Sequence, residues 1–181
     1  MKNLASFLFI VLFSFLGLHA NAQGYSREYK ANCDCFEVKN HFDNGQLSAH
    51  FFESKDGKRN GVEKVFYPNG NLQYERTWVN NKLDGVGKHY FIDGKLYYEE
   101  YHELGIRKGT WKYFDNEGDL VSEVAYSGNE QDGTYTYYHA GVKFYSYKIE
   151  NSAKVSETIH NQEIYDVLRE EAEANQNATK E

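Results

Sequence analysis

Apolar and polar residues alternate along most of this chain. In Leu72-Gln73-Tyr74-Glu75-Arg76-Thr77-Trp78, successive strand side chains point to opposite sides, so Leu72, Tyr74 and Trp78 share one face and Glu75 takes the other. The pattern returns in Leu96-Tyr97-Tyr98-Glu99-Glu100-Tyr101-His102 and in Leu120-Val121-Ser122-Glu123-Val124-Ala125-Tyr126. Leu96 then lies with Tyr98, and Leu120 with Val124 and Tyr126. Glu75, Glu99 and Glu123 recur on the opposite face. A second set of segments begins at Val62, Val86, Thr110 and Thr134, and each ends in an aromatic pair that delivers one ring to each face. Beyond Gly141 glycine is absent, and Ile164, Val167, Leu168 and Ala172 take up helical spacing. An amphipathic helix is predicted from about Asn161 to Ala174, folded over the open end of a sheet.

Glycines punctuate these segments with a fixed period. Gly45, Gly70, Gly94, Gly118 and, more loosely, Gly141 form one series, and Gly61, Gly85, Gly109 and Gly133 form another. A repeat of about 24 residues marks an architecture in which each unit buries its apolar side only by stacking on its neighbours. Asp43-Asn44-Gly45, Pro68-Asn69-Gly70, Ile92-Asp93-Gly94 and Asn116-Glu117-Gly118 occupy one slot. Asn-Gly and Asp-Gly between alternating runs predict type I′ hairpin turns, which need positive φ. The fold class is therefore all-β: a repeat-built antiparallel meander of about 4–5 hairpin repeats, with a C-terminal amphipathic helix. With two strands per unit, the sheet should advance roughly 9–10 Å per repeat.

The ends of the chain add compartment. Residues 1–22 read as a signal peptide: Lys2, an apolar run from Leu4 to Leu18, and Ala20-Asn21-Ala22 as the cleavage site. The expected mature product is exported, to the periplasm, envelope or medium. The expected organisation is this leader, an N-terminal segment over 23–40, repeats over 41–150, and a helix with a polar tail over 151–181. Cys33 and Cys35 are the only cysteines. Export permits a disulfide between them, and free thiols or a metal site remain open alternatives.

Composition narrows the partners. The chain carries 20 Lys and Arg against 27 Asp and Glu, a formal net charge of −7. This disfavours nucleic acid and anionic lipid, both of which reward clustered basic residues. Aromatic residues make up 17% of the sequence, with a single Pro and a single Met, as suits twisted antiparallel sheet.

The recurring pattern of Gly-x-x-Lys-x-Phe/Tyr-Tyr, then Asn/Asp-Gly-x-Leu-x-x-Glu, then an aromatic and Asp-Gly resembles the bacterial variant of the MORN repeat. It covers about residues 40–150. The resemblance implies a repeat protein that binds partners, and some family members are described as antitoxin components of toxin–antitoxin modules. The fifth unit, Ala140-Gly141-Val142-Lys143-Phe144, lacks the Leu and the Glu, as terminal repeats often do.

Candidate chemistry is sparse. Glu75, Glu99 and Glu123 are expected to pair with Lys64, Lys88 and Lys112, which share their period, in a cross-strand ladder. His89, His102 and His139 form no catalytic arrangement, and Asn177-Ala178-Thr179 is a weak glycosylation sequon. The expected candidate binding face comprises Tyr74, Trp78, Tyr98, Trp111, Tyr113 and Tyr135. The expected function is a non-enzymatic exported scaffold for another protein, without cofactor, metal or catalytic residues. The alternative is a glycan- or cell-wall-binding module that uses exposed rings.

Overall fold

The computed structural model describes residues 24–127 and 131–178. The leader expected over 1–22, and Thr179 of the sequon, lie outside the described residues.

Among the described residues fourteen strands follow one another, all in one antiparallel sheet. They are β1 (Tyr25–Lys30), β2 (Cys35–His41), β3 (Leu47–Ser54), β4 (Gly61–Phe66), β5 (Leu72–Val79), β6 (Lys82–Leu83) and β7 (Gly85–Tyr90). The remainder are β8 (Leu96–Glu103), β9 (Ile106–Arg107), β10 (Gly109–Phe114), β11 (Leu120–Tyr126), β12 (Gly133–His139), β13 (Val142–Glu150) and β14 (Ala153–Ile159). Twelve of these pair in chain order, whereas β6 and β9 are short ribs on the extended ends of β5 and β8. The meander is longer than the expected 41–150 at both ends. Residues 25–41 add the β1–β2 hairpin, and residues 153–159, expected to precede the helix, form β14.

Two kinds of turn alternate along the borders. In the Asn-Gly slot the amide of Gly45 donates to Phe42 O at 2.8 Å while Phe42 N donates to Gln46 O at 2.8 Å. The same pair of bonds recurs at Tyr67/Gly70/Asn71, Phe91/Gly94/Lys95 and Asp115/Gly118/Asp119. Only the glycine has positive φ in each, +84° at Gly45 and +89° at Gly70. The preceding Asn44 and Asn69 do not share it, so the expected type I′ geometry is replaced by a turn closed with a glycine bulge. The sheet register slips by one residue beside all four of these turns, after Asn40, Val65, His89 and Tyr113. The slipped residue is absorbed by the bulge. The Asn44, Asn69 and Asp93 carboxamide or carboxyl oxygens each accept the amide two residues on, at 3.0 Å, which is the Asx-turn mechanism.

In the fifth slot of that border the turn differs, with paired positive φ at Ala140–Gly141 (+48°, +75°); on the opposite border paired positive φ occurs at Asn80–Asn81 (+50°, +65°), Leu104–Gly105 (+50°, +89°) and Asn151–Ser152 (+52°, +63°). Each turn of this opposite border leans on its predecessor in the stack. Asn60 Oδ1 accepts Asn80 N at 2.8 Å, Asp84 Oδ1 accepts Leu104 N at 3.0 Å, and Asp132 accepts Asn151 N and Ser152 N at 2.9 and 3.1 Å. Side-chain acceptors thus saturate the backbone of one unit from the next, which is the nearest-neighbour coupling of a repeat array.

The helix α1 (Gln162–Ala178) starts where expected and runs slightly further. Asn161 caps it, its Oδ1 accepting Ile164 N at 3.1 Å. The amides of His160 and Asn161 both reach Phe144 O, at 2.8 and 3.3 Å, and Tyr165 rests on Tyr145 at 5.3 Å. These tethers draw α1 onto β13. It does not shield β14, all seven residues of which remain exposed as an edge.

Candidate functional site: the aromatic face

Register assigns the two faces. Across one face, Val65, Tyr74, His89, Tyr98, Tyr113, Ser122, Tyr137 and Tyr145 stand opposite one another from strand to strand. One step along the strands the same face carries Glu63 opposite Arg76, Gly87 opposite Glu100, and Trp111 opposite Val124 and then Tyr135 and Tyr147. The other face carries the charged ladder, with Lys64 opposite Glu75, Lys88 opposite Glu99 and Lys112 opposite Glu123. Lys64 pairs with Glu75 at 2.8 Å and Lys88 with Glu99 at 3.4 Å, as the spacing predicts. Glu123 takes a hydroxyl instead, from Tyr138 at 2.7 Å.

All six predicted binding residues lie on the aromatic face, and the sheet brings them into one row system. Trp111 is buried, whereas Tyr74, Trp78, Tyr98, Tyr113 and Tyr135 are half-buried. Their rings pack on one another. His89 stacks on Tyr98 at 4.0 Å, Tyr98 on Tyr113 at 5.4 Å and Tyr135 on Tyr147 at 4.8 Å, while Trp111 meets Tyr126 edge-on at 5.2 Å. Apart from Trp78, whose ring meets the Arg59 and Arg76 guanidinium groups, these rings spend face or edge on a neighbouring ring, so the thin core of this single-layer sheet is also its aromatic surface. Burial beside Glu100 pushes the Tyr98 hydroxyl up to about 12. Burial, with Tyr126 and Tyr98 nearby, pushes Tyr113 upward as well. Both stay neutral phenols that can donate hydrogen bonds.

Between these rings sit charges that the sequence reading did not single out. Glu63 is only 2% exposed. It contacts the Arg59 guanidinium, accepts Arg76 Nη2 at 3.2 Å, and accepts the Trp78 indole at 2.8 Å. Arg76 also lies over the Tyr74 ring at 4.2 Å, and Arg107 over Trp111 at 5.0 Å, arrangements that add cation–π attraction. Glu100 crosses over Gly87, where a Cβ would stand 2.6 Å from its Oε1, and it meets His89 Nε2 at 3.2 Å. Burial would push the Glu100 carboxyl up, but the bond to His89 and the nearby His102 and Arg76 outweigh it and hold it below its ordinary value. Burial holds His102 below the ordinary imidazole value, against the pull of Glu100 and with the help of Arg107 and Arg76.

A signal for these residues is present in the repeat. The position occupied by Glu63 holds Gly87 and Trp111 in the next units, and that of Arg76 holds Glu100 and Val124. Non-repeating polar residues at a repeating inward slot mark an altered surface.

Cys33 and Cys35 are joined by a disulfide at the β1–β2 hairpin tip, on the far side of the sheet from the rings. Among the described residues no group of three His, Cys, Asp or Glu is arranged to hold a metal ion, and no helix is long and apolar enough to cross a membrane.

Residues 59–80, one turn-to-turn unit around β4 and β5, match the MORN repeat variant family, which supports a MORN-type repeat. No curated protein matches the chain. Among solved structures, an S. aureus TarM mutant in complex with fondaparinux, alpha-GlcNAc-glycerol and UDP is similar at 12% identity, with 73% of this chain and 21% of that one covered, at a TM-score of 0.30. The accessory secretory proteins 1, 2 and 3 of Streptococcus pneumoniae are similar at 15% identity over 64% of this chain and 19% of that one, at a TM-score of 0.22. The chain thus spans about a fifth of the length of each. The molecule is a repeat protein, an antiparallel meander of hairpin units with a helix at Gln162–Ala178, and one of its units matches the MORN repeat variant.

Proposed function

We infer that this is an exported scaffold that binds another protein through the aromatic face. The observation that carries the reading is the state of the rings. A sugar platform needs open ring faces, whereas here Trp111 is buried and the ring faces of Tyr98, Tyr113 and Tyr135 lie against neighbouring rings. Solvent meets phenol edges and hydroxyls interleaved with Arg59, Arg76 and Arg107. Tyr, Trp and Arg are the residue types that dominate protein–protein hot spots. The antitoxin-like role implied by the family resemblance is one form of this reading, with a toxin protein as the partner. The alternative, a glycan- or wall-binding module, keeps only the rims of these rings.

The test is affinity capture of envelope and medium proteins on the mature chain, run in parallel with two variants. Tyr98→Ser with Tyr135→Ser alters the aromatic face, and Glu75→Gln with Glu99→Gln alters the ladder. A protein partner lost only with the aromatic variant supports the scaffold. Retention on peptidoglycan or polysaccharide without a protein partner moves the function to the alternative. A partner lost with the ladder variant places the interface on the wrong face.

A further inference from the structure

We propose that the Cys33–Cys35 disulfide is an exchange site that accepts two electrons from a dithiol segment of a partner protein. The inference concerns the hairpin tip and the face opposite the rings, and it does not depend on the aromatic-face reading.

Four observations converge. The two cysteines are separated by two positions, so the bridge closes a very small loop. The stabilisation a disulfide gives by restricting the unfolded chain grows with loop length, and this bridge lies at the bottom of that scale. Structural stabilisation is therefore a weak reason for it. Asp34, enclosed in the ring, has φ +52°, a left-handed conformation that a residue with a Cβ adopts at a cost. Asp34 is held there by the Tyr29 hydroxyl and by Lys55 Nζ at 2.7 Å. Opening the bridge lifts one of the restraints on that backbone, which favours the reduced form.

The two sulfurs differ in access. Cys33 lies exposed in the turn, whereas Cys35 is the first residue of β2 and is 7% exposed. An incoming thiolate reaches Cys33, and Cys35 is the sulfur that leaves. Exposed, strained bridges are the ones that serve in exchange.

A docking groove adjoins them. A concavity of about 580 Å³ is lined by Cys33 and Cys35 together with Phe52, Val62, Lys30 and Glu37, a volume in the range of ligand sites. Phe52 and Val62 offer an apolar floor, and Val62 is 39% exposed. Lys30 bridges Glu28 and Glu37 at 2.9 and 3.1 Å at the rim. The occupant that fits is an extended segment with two cysteines and an adjacent aliphatic side chain.

The chemistry balances within the pair. A partner thiolate attacks Cys33 Sγ, the Cys33–Cys35 bond breaks, and Cys35 leaves as a thiolate that takes up a proton. The second partner thiolate then attacks its own neighbour in the mixed disulfide, and Cys33 leaves and is protonated. The partner is oxidised to a disulfide, and Cys33 and Cys35 are reduced to thiols. In the oxidising compartment expected for an exported chain, the pair starts as the disulfide.

The experiment mixes the purified exported protein with an equimolar reduced synthetic peptide carrying two cysteines and a neighbouring leucine, and reads both by alkylation and mass. Transfer to about half the protein, complete faster than the minutes to hours of unassisted rearrangement, is expected. A protein still fully oxidised after that interval overturns the proposal. Cys35→Ser should form a mixed disulfide with the oxidised peptide at least about tenfold faster than Cys33→Ser, because thiol access governs the rate. Equal rates overturn the assignment of Cys33 as the attacked sulfur. Val62→Asp, which leaves both sulfurs in place, should slow transfer to the leucine peptide. An unchanged rate removes the groove from the proposal.

Discussion

Replacing Glu63 by Gln removes a charge from the most enclosed polar site of the sheet while preserving size. The side chain is 2% exposed and serves three donors, from Arg59, Arg76 and Trp78. Gln keeps an oxygen for the indole but gives up the charge that both guanidinium groups meet. Hydrogen bonds to a charged partner contribute about 1.5–3 kcal/mol each, and breaking a fully buried pair costs about 3–5 kcal/mol. Arg76 and Arg59 are 23% and 35% exposed, so water recovers part of that loss and about 2–3 kcal/mol is expected. Glu63→Ala also strands the Trp78 N–H and should cost about 3–5 kcal/mol. Glu75→Gln is the internal control: its carboxylate is 39% exposed, and an exposed pair contributes at most about 1 kcal/mol. Urea unfolding at neutral pH measures all three, comparing midpoints at constant slope. If Glu63→Gln and Glu75→Gln fall within about 0.5 kcal/mol of each other, the buried network does not stabilise the face and the reasoning fails.

Three further outcomes follow from the same geometry. Gly87→Ala should destabilise by about 1–3 kcal/mol by forcing Glu100 off His89, read as a lowered urea midpoint; a neutral effect means that Glu100 has another resting place. Stability should fall as pH drops below about 6.5, because His102 has a folded value below its ordinary 6.5 and the unfolded chain takes up the proton first. Below about 4.5 the loss should deepen, since Glu100 is held under its ordinary value and Glu37, beside Lys39 and Lys30, is drawn down to about 2. Urea midpoints that stay level from neutral pH to about 4 would contradict this, and His102→Gln should remove only the portion near 6.5. Trp111→Ala should cost about 3–5 kcal/mol, given its burial and its indole bond to Tyr101 O at 3.1 Å. A smaller loss, with binding abolished, would make Trp111 an exposed contact residue instead.

The repeat period, the alternation and the glycines determine the meander by themselves, because each 24-residue unit states its strand faces and turns locally. That is why the ladder pairs Lys64–Glu75 and Lys88–Glu99, and the shared face of Tyr74, Tyr98 and Tyr113, can be read before any coordinates. The turn type cannot be read so directly. Asn-Gly is compatible with both a type I′ turn and a glycine bulge, and the choice between them depends on how flanking strands register with the neighbouring unit. Residues 25–41 and 153–159 fall outside the period, and their strand state is set by pairing with β3 and β13, a long-range term absent from local pattern. The buried charges are decided the same way. The repeat puts Glu63 in an inward slot, but only pairing places it opposite Arg76 and within reach of Arg59 and Trp78. Nothing near Glu100 announces that Gly87 across the strand leaves the space it occupies. Local periodicity sets which face a side chain occupies; only the assembled sheet sets what it meets there.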